Sequence, residues 1–434
     1  MPSSVTLTNP EDLSNNKLQP CDRAFHDWYR FVLSFPPHLV RHYIEQFALN
    51  TDAVLLDPFC GTGTTIVEAK KNELASVGIE AVPMSHFACS TKVQWQVDLE
   101  ALHQAQERVL SQAQARVDLE PMLSFRPEQA AIILKNSICD RPLHQCLVLQ
   151  SAIAAESHRA VRDVFNLALA YVAVNHASNL KFGPEVGIRR TKRENAGVFE
   201  HWQEKVAQMT EDLAAHAALA HIPARCHRGD ARRVRSHLEP CSIDAIITSP
   251  PYPNEKDYTR TTRLESVLLG FLQNKADLRA FKQSLIRSNT RNVYKVDDDD
   301  RLLTSQSQIT RLAQEIEDRR IALNKTSGFE RLYHRVTTLY FGGMKRHLTA
   351  LQPALKPGAK LAYVVGDQAS FFQVMIRTGE LLAEIATEVG YDVKGIDLFR
   401  TRLATATGQQ LREEVVVLEW PGTPKQRQYF RVGR

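Results

Sequence analysis

Two short segments of the sequence have residue types and spacings that could do chemistry. The first, residues 57–65, reads Asp-Pro-Phe-Cys-Gly-Thr-Gly-Thr-Thr, and the second, residues 248–252, reads Thr-Ser-Pro-Pro-Tyr. Each follows an aliphatic run, at 54–56 and 242–247, of the kind that forms a buried strand. Ligands of open parallel sheets bind at the carboxyl ends of the strands, so both segments are expected to face one site.

The first segment has the form of a turn between a strand and a helix. Its glycines, Gly61 and Gly63, let the backbone turn sharply and let a ligand approach without a Cβ in the way. The segment lacks the third glycine of the dinucleotide fingerprint and the Gly-Lys-Ser/Thr ending of a phosphate-binding loop. Asp57, before the glycines, suits a cationic ligand, because a carboxylate accepts hydrogen bonds from an ammonium group.

A second acidic residue supports the same interpretation. The run 77–80 predicts a strand that ends in Glu80, at the place where such folds bind ribose hydroxyl groups. Strand, helix and strand make one βαβ unit with adjacent parallel strands. Asp57, the glycine turn and Glu80 together indicate an adenosine-bearing, positively charged cofactor.

Residues 57–65 together with Ser249-Pro250-Pro251-Tyr252 resemble the motifs of the S-adenosylmethionine-dependent DNA methyltransferases that modify exocyclic amino groups, the N4-cytosine and N6-adenine enzymes. The resemblance implies an α/β fold, with a Rossmann-like, seven-stranded, mostly parallel methyltransferase sheet and a large helical insertion. It implies S-adenosylmethionine as the cofactor and DNA as the partner, with the target base flipped from the duplex. The cofactor-binding residues that it implies are Asp57, Pro58, Phe59, Gly61, Gly63, Thr64, Glu80 and Asp230.

The second segment could assist methyl transfer to an amino group. An exocyclic amino nitrogen is a poor nucleophile, because its lone pair is delocalised into the ring. Acceptors aimed at its hydrogens favour a tetrahedral nitrogen, and the resemblance gives that role to Ser249 Oγ and the Pro250 carbonyl. Pro250 and Pro251 fix φ and remove backbone donors, and Tyr252 would stack on the flipped base. The expected catalytic residues are Ser249, Pro250, Pro251 and Tyr252.

The first residue of the second motif bears on which base is modified. In the resembled family, serine at this position is usual in N4-cytosine enzymes, and aspartate or asparagine is typical of adenine enzymes. N4-cytosine methylation is therefore the first hypothesis, and N6-adenine methylation is the second. A cysteine that attacks the base is expected to follow a proline. Cys60 does not, so methylation of a ring carbon is disfavoured.

Functions from other classes remain open at this point. Related motifs serve amino groups in structured RNA, and the basic loops do not distinguish ribose from deoxyribose. A non-catalytic DNA-binding or cofactor-sensing module is a further alternative, although it would not need both motifs intact. A nicotinamide oxidoreductase is disfavoured by the missing third glycine.

The order of the motifs predicts a methyltransferase domain that is interrupted by helices. Residues 1–97 hold an N-terminal segment and the cofactor motif, and residues 98–222 form a helical insertion that could recognise DNA. Residues 223–434 hold the catalytic motif and a further helical and loop insertion at about 258–350. Many relatives carry the two motifs in the reverse order, so the position of the DNA recognition region stays open.

The remaining elements follow from local patterns. Residues up to Asn15 are polar and are expected to be poorly ordered, whereas Pro36-Pro37 predicts the start of a helix that runs to Phe47. The acidic run 297–300 is interpreted as a solvated loop. Further strands are predicted before Asp230 and at 242–247, 355–367, 391–397 and 414–420, the last two as an antiparallel edge hairpin, and further helices at 302–323 and 329–351.

Several basic and aromatic residues outside the motifs could contact nucleic acid. They lie in a glycine-containing break of the helical region, in the stretch after the catalytic motif and in a predicted loop at 400–408. The alternative for the first group is a solvated linker between helices. The candidates are Arg189, Arg190, Lys192, Arg193, Tyr258, Arg260, Arg263, Arg291, Arg400 and Arg402.

Composition sets wider limits. The 434 residues are 43% hydrophobic and 24% charged, as in ordinary globular proteins, and the net charge of +5 is compatible with a polyanionic partner without demonstrating one. No apolar run of about 18 residues and no signal segment is present, so no membrane partner is expected and a cytoplasmic location is the default. The seven cysteines contain no Cys-x-x-Cys pair, which suggests reduced thiols and no metal site.

Overall fold

The computed structural model describes residues 14–30, 34–183, 185–254, 256–304, 307–403, 408 and 410–423. The polar residues before Ser14, for which poor order was expected, therefore lie outside the described residues. The strands are β1 (Val54–Asp57), β2 (Ala75–Glu80), β3 (Leu180–Lys181), β4 (Gly187–Ile188), β5 (Ala224–Arg228), β6 (Ile243–Thr248), β7 (Leu355–Gly366), β8 (Asp392–Leu403) and β9 (Gln410–Glu419).

Seven of these strands form one sheet in the order β5-β2-β1-β6-β7-β9-β8. The neighbours from β5 to β7 are parallel, and β9 is antiparallel to both β7 and β8. The predicted seven-stranded, mostly parallel α/β sheet with an edge hairpin is confirmed. β1 and β6, which carry the two motifs, are adjacent, so both motifs leave the sheet at the same edge.

The longer helices are α1 (Pro37–Gln46), α2 (Thr64–Lys71), α3 (Pro83–Val93), α4 (Leu99–Val117), α5 (Asp140–Ala154), α6 (Arg159–Val172), α7 (Val198–Ala215), α8 (Lys275–Gln283), α9 (Gln308–Ala322), α10 (Tyr333–Leu351) and α11 (Thr378–Glu388). Shorter helical segments include Pro127–Ala130, Tyr258–Thr261 and Arg263–Leu268. The predicted start of α1 at the proline pair is confirmed, with Pro37 in its first turn.

Successive side chains of a strand point to opposite faces of the sheet, and in the central strands both faces are buried. On one face, Leu55 and Ile247 pack in a cluster with Tyr43 of α1. On the other face, Leu56 and Ile246 pack in a cluster that contains residues of α9, α10 and α11. Helices on both faces hold the strand ends, and with them the motifs, in fixed positions.

The stretch between residues 98 and 220 is less helical than expected. It contains α4 to α7, but residues 118–139 hold one short helical segment, and residues 180–188 form the small antiparallel pair β3–β4. The helices do not stand apart from the sheet domain, since residues of α4 to α7 share one hydrophobic cluster with Ile66 of α2 and Met84 of α3.

The edge hairpin is longer than expected, and this corrects the placement of two arginines. β8 continues to Leu403, which pairs with Gln410 of β9, so Arg400 and Arg402 lie on a strand and not in a loop. Of the predicted loop, residues 404–407 lie outside the described residues. The strand extends because β9 provides backbone partners along the whole length of β8.

The acidic run at 297–300 is also not a solvated loop. Asp299 is only 4% exposed and forms ion pairs with Arg232 and with Arg346. The run can approach α10 closely because Gly342 has no side chain, and a Cβ there would lie 2.0 Å from the Asp299 carbonyl oxygen. Among the described residues, no helix combines the length and the apolar character needed to span a bilayer.

Candidate active site

The glycine turn is built by β1, α2 and β2. The backbone N–H of Cys60 donates to the Ile79 carbonyl at 3.2 Å, and the N–H of Gly63 donates to the Cys60 carbonyl at 2.7 Å. Gly61 and Gly63 have φ of 52° and 92°, in the left-handed region that glycine enters without strain. A Cβ on Gly61 would meet no atom within 4 Å, so this face of the turn is open to a ligand.

Asp57 links the two motifs by hydrogen bonds beneath the glycine turn. Its side chain is fully buried, and Oδ1 accepts from Thr248 Oγ1 at 2.5 Å and from the Phe59 N–H at 3.0 Å. Oδ2 has no hydrogen-bond partner among the described groups. Burial raises the pKa of Asp57 to about 7. Asp57 does not line the cavity above the turn, so its direct contact with a cofactor ammonium group stays a prediction.

Glu80 lies at the wall of the cavity and braces the turn. Its Oε2 accepts from the Gly61 N–H at 2.8 Å, and its Oε1 accepts from the Val82 N–H at 2.6 Å. Burial raises the pKa of Glu80 to about 7, although both hydrogen bonds favour the ionised form. Each carboxylate oxygen keeps a second lone pair, so the group can still accept from a ligand hydroxyl.

The second motif presents hydrogen-bond acceptors. Ser249 Oγ donates its single proton to the Val364 carbonyl at 3.1 Å, which leaves the oxygen lone pairs as acceptors. Pro250 and Pro251 have no N–H, and the N–H of Tyr252 is bonded to Tyr258 Oη at 3.2 Å. The segment is therefore suited to bind a group that donates hydrogen bonds, such as an amino group.

Both motifs open into one cavity of about 700 Å³. This volume lies within the roughly 300–1,000 Å³ typical of small-molecule sites. The predicted residues that line it are Pro58, Phe59, Gly61, Thr64, Glu80, Asp230, Ser249, Pro250, Pro251, Tyr252, Tyr258, Arg400 and Arg402. Gly63 and Asp57 are buried outside the lining, under the turn.

The lining fits S-adenosylmethionine in its chemical character. The open glycine turn, the Glu80 carboxyl and the apolar side chains of Ile79, Val82 and Ala231 could hold an adenosine group. Asp230 lies on the same wall, where its carboxylate forms an ion pair with Arg232 at 2.8 Å. The implied role of Asp230 in cofactor binding stays a prediction.

The structure adds a residue that the sequence did not indicate. Glu413 of β9 lines the cavity, and its carboxylate pairs with Arg400 at 2.6 Å and with Arg402 at 3.2 Å. These arginines are therefore held at the cavity wall. Only the side-chain alternation of β9 could have indicated the inward direction of Glu413, and the spacing of its neighbours carries no motif.

Part of the predicted nucleic-acid surface is close to this cavity. Arg260 forms an ion pair at 3.4 Å with Glu185, a cavity-lining residue in the connection between β3 and β4. The pair β3–β4 and its connection, residues 180–188, form the β3–β4 ribbon. Arg189 and Arg190 directly after it are both exposed, and the Nε of Arg189 donates to the Leu180 carbonyl. The ribbon thus lies beside the site.

The other basic candidates differ in exposure. Arg291 is exposed, and Lys192 is half-buried. Arg263 is engaged inside the protein with Asp257 and the Ile132 carbonyl, and Arg193 donates from its backbone N–H to Asn179 Oδ1. Arg263 is therefore placed to support the fold around the second motif more than to contact DNA.

Comparisons with known proteins find similarity to DNA methyltransferases. The family model N6_N4_Mtase, described as DNA methylase, matches residues 8–84. The Type II methyltransferase M.BsoBI of Geobacillus stearothermophilus is 24% identical over 442 residues, which cover 92% of this chain and 86% of that protein. The Type II methyltransferase M.AvaI of a Nostoc species is 23% identical and covers 91% of this chain and 84% of that protein.

A solved structure, that of TrmN from Thermus thermophilus, aligns with 92% of this chain and 52% of that chain, at 11% identity and a TM-score of 0.32. This similarity is too low to support an argument. The sheet order and the position of the two motifs are observed directly in the structure of this chain. Together with the family match and the two relatives, they support the resemblance of the chain to the S-adenosylmethionine-dependent DNA methyltransferases that modify exocyclic amino groups.

Proposed function

We propose that the protein transfers a methyl group from S-adenosylmethionine to the N4 amino group of cytosine at a specific site in DNA. The observation that carries the proposal is the set of hydrogen-bond acceptors at Ser249 and Pro250, in the same cavity as the glycine turn. Serine in the first position of this motif supports cytosine, as the family pattern implies.

The cofactor, when bound, supplies an electrophilic methyl group. The turn at Gly61 and the Glu80 carboxyl would orient it, and burial of the site would exclude water. Positioning of donor and acceptor in line is the main contribution that such a displacement needs. The lining residues come from five strand ends and so hold this geometry rigidly.

Ser249 and Pro250 would act on the acceptor. The hydroxyl of Ser249 donates to the Val364 carbonyl, so its lone pairs would be left to accept from an incoming amino group. Together with the Pro250 carbonyl they would accept from the two amino hydrogens and direct the nitrogen lone pair at the methyl. The proton released after transfer would leave through one of these hydrogen bonds to solvent.

Tyr252 would hold the flipped base. A Cβ on Gly366 would lie 3.2 Å from the Tyr252 ring, so this glycine provides the space in which the ring sits against the end of β7. The N–H of Tyr252 is bonded to Tyr258, which makes Tyr258 a positioning residue. A fixed aromatic ring offers a stacking surface for any base.

The biological setting belongs to the same proposal. The curated relatives are named Type II methyltransferases, and a role in a restriction–modification system, within the cytoplasm where chromosomal DNA lies, would follow for this chain. The positive net charge of +5 would favour a DNA partner.

The test is identification of the modified nucleoside. The purified protein is incubated with methyl-labelled S-adenosylmethionine and unmethylated genomic DNA, and the digested nucleosides are identified by mass. N4-methylcytosine is expected. N6-methyladenine would keep the mechanism and overturn the base, whereas label in an RNA control alone would overturn the DNA assignment.

A further inference from the structure

Three cysteines that are distant in sequence meet behind the glycine turn. Cys60 is in the turn, Cys89 is in α3 and Cys226 is in β5. The Sγ of Cys60 lies 3.5 Å from that of Cys226 and 3.8 Å from that of Cys89, and all three sulfurs lie within 4.8 Å of one another. They form the three-cysteine cluster.

Two glycines make room for the sulfurs of this cluster. A Cβ on Gly63 would lie 2.8 Å from Cys89 Sγ, and a Cβ on Gly78 would lie 2.8 Å from Cys60 Sγ. Cys89 is fully buried, Cys60 is 4% exposed and Cys226 is half-buried. The sulfurs are therefore enclosed but not cut off from solvent.

The spacing of the sulfurs matches a shared metal ion. A thiolate bound at about 2.3 Å places sulfurs about 3.8 Å apart in a tetrahedral site and about 4.0 Å apart in a trigonal plane. Small movements would bring the sulfurs of the cluster to the trigonal spacing. A disulfide would instead need the sulfurs to approach to about 2.05 Å.

The chemistry of the cluster selects the kind of ion. Thiolate is the ligand that soft ions prefer. Among the described residues, no fourth histidine, cysteine or carboxylate ligand belongs to the group, so a tetrahedral zinc site is incomplete.

We propose that the three-cysteine cluster binds one soft, monovalent d10 metal ion, such as Cu(I), in three-coordinate geometry. Each metal–sulfur bond replaces a sulfur–hydrogen bond, and the proton leaves to solvent, so no oxidant or reductant is required. The site is separate from the proposed methyl transfer and does not depend on it.

The location would connect such an ion to the cofactor turn. Cys60 follows Phe59 and precedes Gly61, and all three line the cavity. Its backbone N–H and carbonyl form the two hydrogen bonds that close the turn. An ion that fixes Cys60 Sγ would therefore fix the turn, and by reciprocity cofactor affinity would change when the ion binds.

The experiment is an anaerobic titration of the reduced full-length protein with Cu(I) in competition with a chromophoric Cu(I) chelator. The exposed Cys21 and Cys241 are replaced by serine in every sample to remove competing thiols. One ion per chain is expected, with X-ray absorption showing three sulfurs at about 2.3 Å. Cys89→Ala and Cys226→Ser should each weaken binding roughly 100-fold.

Two variants make the test specific. Cys146→Ala removes a buried thiol outside the cluster and should leave Cu(I) affinity unchanged. Gly78→Ala keeps every thiol but presses on Cys60 Sγ, so it should weaken binding in protein that circular dichroism shows to be folded. Equal affinity in the parent and all cluster variants, two-sulfur coordination, or a preference for Zn²⁺ would overturn the proposal.

Discussion

The carboxyl group of Glu80 is expected to make the affinity for the cofactor depend on pH. Because burial raises the pKa of Glu80 to about 7, its ionised fraction falls as the pH decreases through 7. If the carboxylate accepts from the cofactor ribose, affinity for S-adenosylmethionine should fall about tenfold between pH 8 and pH 6. Isothermal titration calorimetry at several pH values measures this directly.

The matched variant is Glu80→Gln, which keeps the shape of the side chain without a titrating group. It should bind the cofactor more weakly than the wild type at pH 8, with a flatter pH profile. Identical pH profiles for the two proteins would assign the dependence to another group, such as Asp57, whose pKa is also raised to about 7.

The ring of Tyr252, and not its hydroxyl, should matter for the base. Stacking of a base on an aromatic side chain contributes about 1–3 kcal/mol, so Tyr252→Ala should reduce methyl transfer to DNA by roughly 10-fold to 100-fold. Tyr252→Phe keeps the ring and should retain most of the activity. Steady-state transfer of labelled methyl groups measures both variants, and an equal loss in both would contradict the stacking role.

At the scale of elements, the hydrogen bond from Thr248 to Asp57 ties β6 to β1. Thr248→Val removes the side-chain hydroxyl that donates to Asp57 Oδ1 at 2.5 Å. A buried acceptor that loses its partner costs about 1–3 kcal/mol, so the free energy of unfolding should fall by that amount. Urea denaturation tests this, and Thr248→Ser, which keeps the hydroxyl, should lose clearly less.

The β3–β4 ribbon should contribute to DNA affinity through charge. Arg190 is exposed and Lys192 half-buried beside a connection that reaches the cavity. Each lost phosphate contact lowers the salt slope by about 0.9, so Arg190→Ala with Lys192→Ala should flatten it by nearly 2. Fluorescence anisotropy over 50–200 mM salt, about the range in which such slopes are measured, tests this.

The control for this ribbon is Arg319→Ala, which removes an exposed arginine of α9, an element that does not line the cavity. Its salt slope should equal that of the wild type. An unchanged slope in the double variant of the ribbon would mean that the ribbon is a solvated connection.

At the scale of the whole molecule, the sheet could be predicted because each of its central strands is a local aliphatic run. The end of β8 could not be, since residues 398–403 mix polar and apolar side chains and become a strand only by pairing with β9. The burial of Asp299 was missed for a similar reason. Its partners, Arg232 and Arg346, are distant in sequence.

The residues of the candidate active site also separate into those that local patterns predict and those that depend on the tertiary fold. Most residues of the two motifs line one cavity, because each motif follows a strand and these strands, β1 and β6, are adjacent, whereas Asp57 and Gly63 lie outside the lining. Glu413 and the three-cysteine cluster depend on how distant strands come together, and the spacing of single residues gives no signal for that. Local patterns therefore predicted the two motifs, and the tertiary fold added their neighbours.

The central claim is that one cavity brings the methyl donor to an amino group held by Ser249 to Tyr252. The most direct test is the single-turnover rate of transfer to DNA, beside calorimetric affinity for S-adenosylmethionine, in the wild type and in Ser249→Ala. Loss of one acceptor placed for the transition state predicts a rate lower by roughly 100-fold, with cofactor affinity nearly unchanged. An unchanged rate, or a parallel loss of cofactor affinity, would contradict the claim.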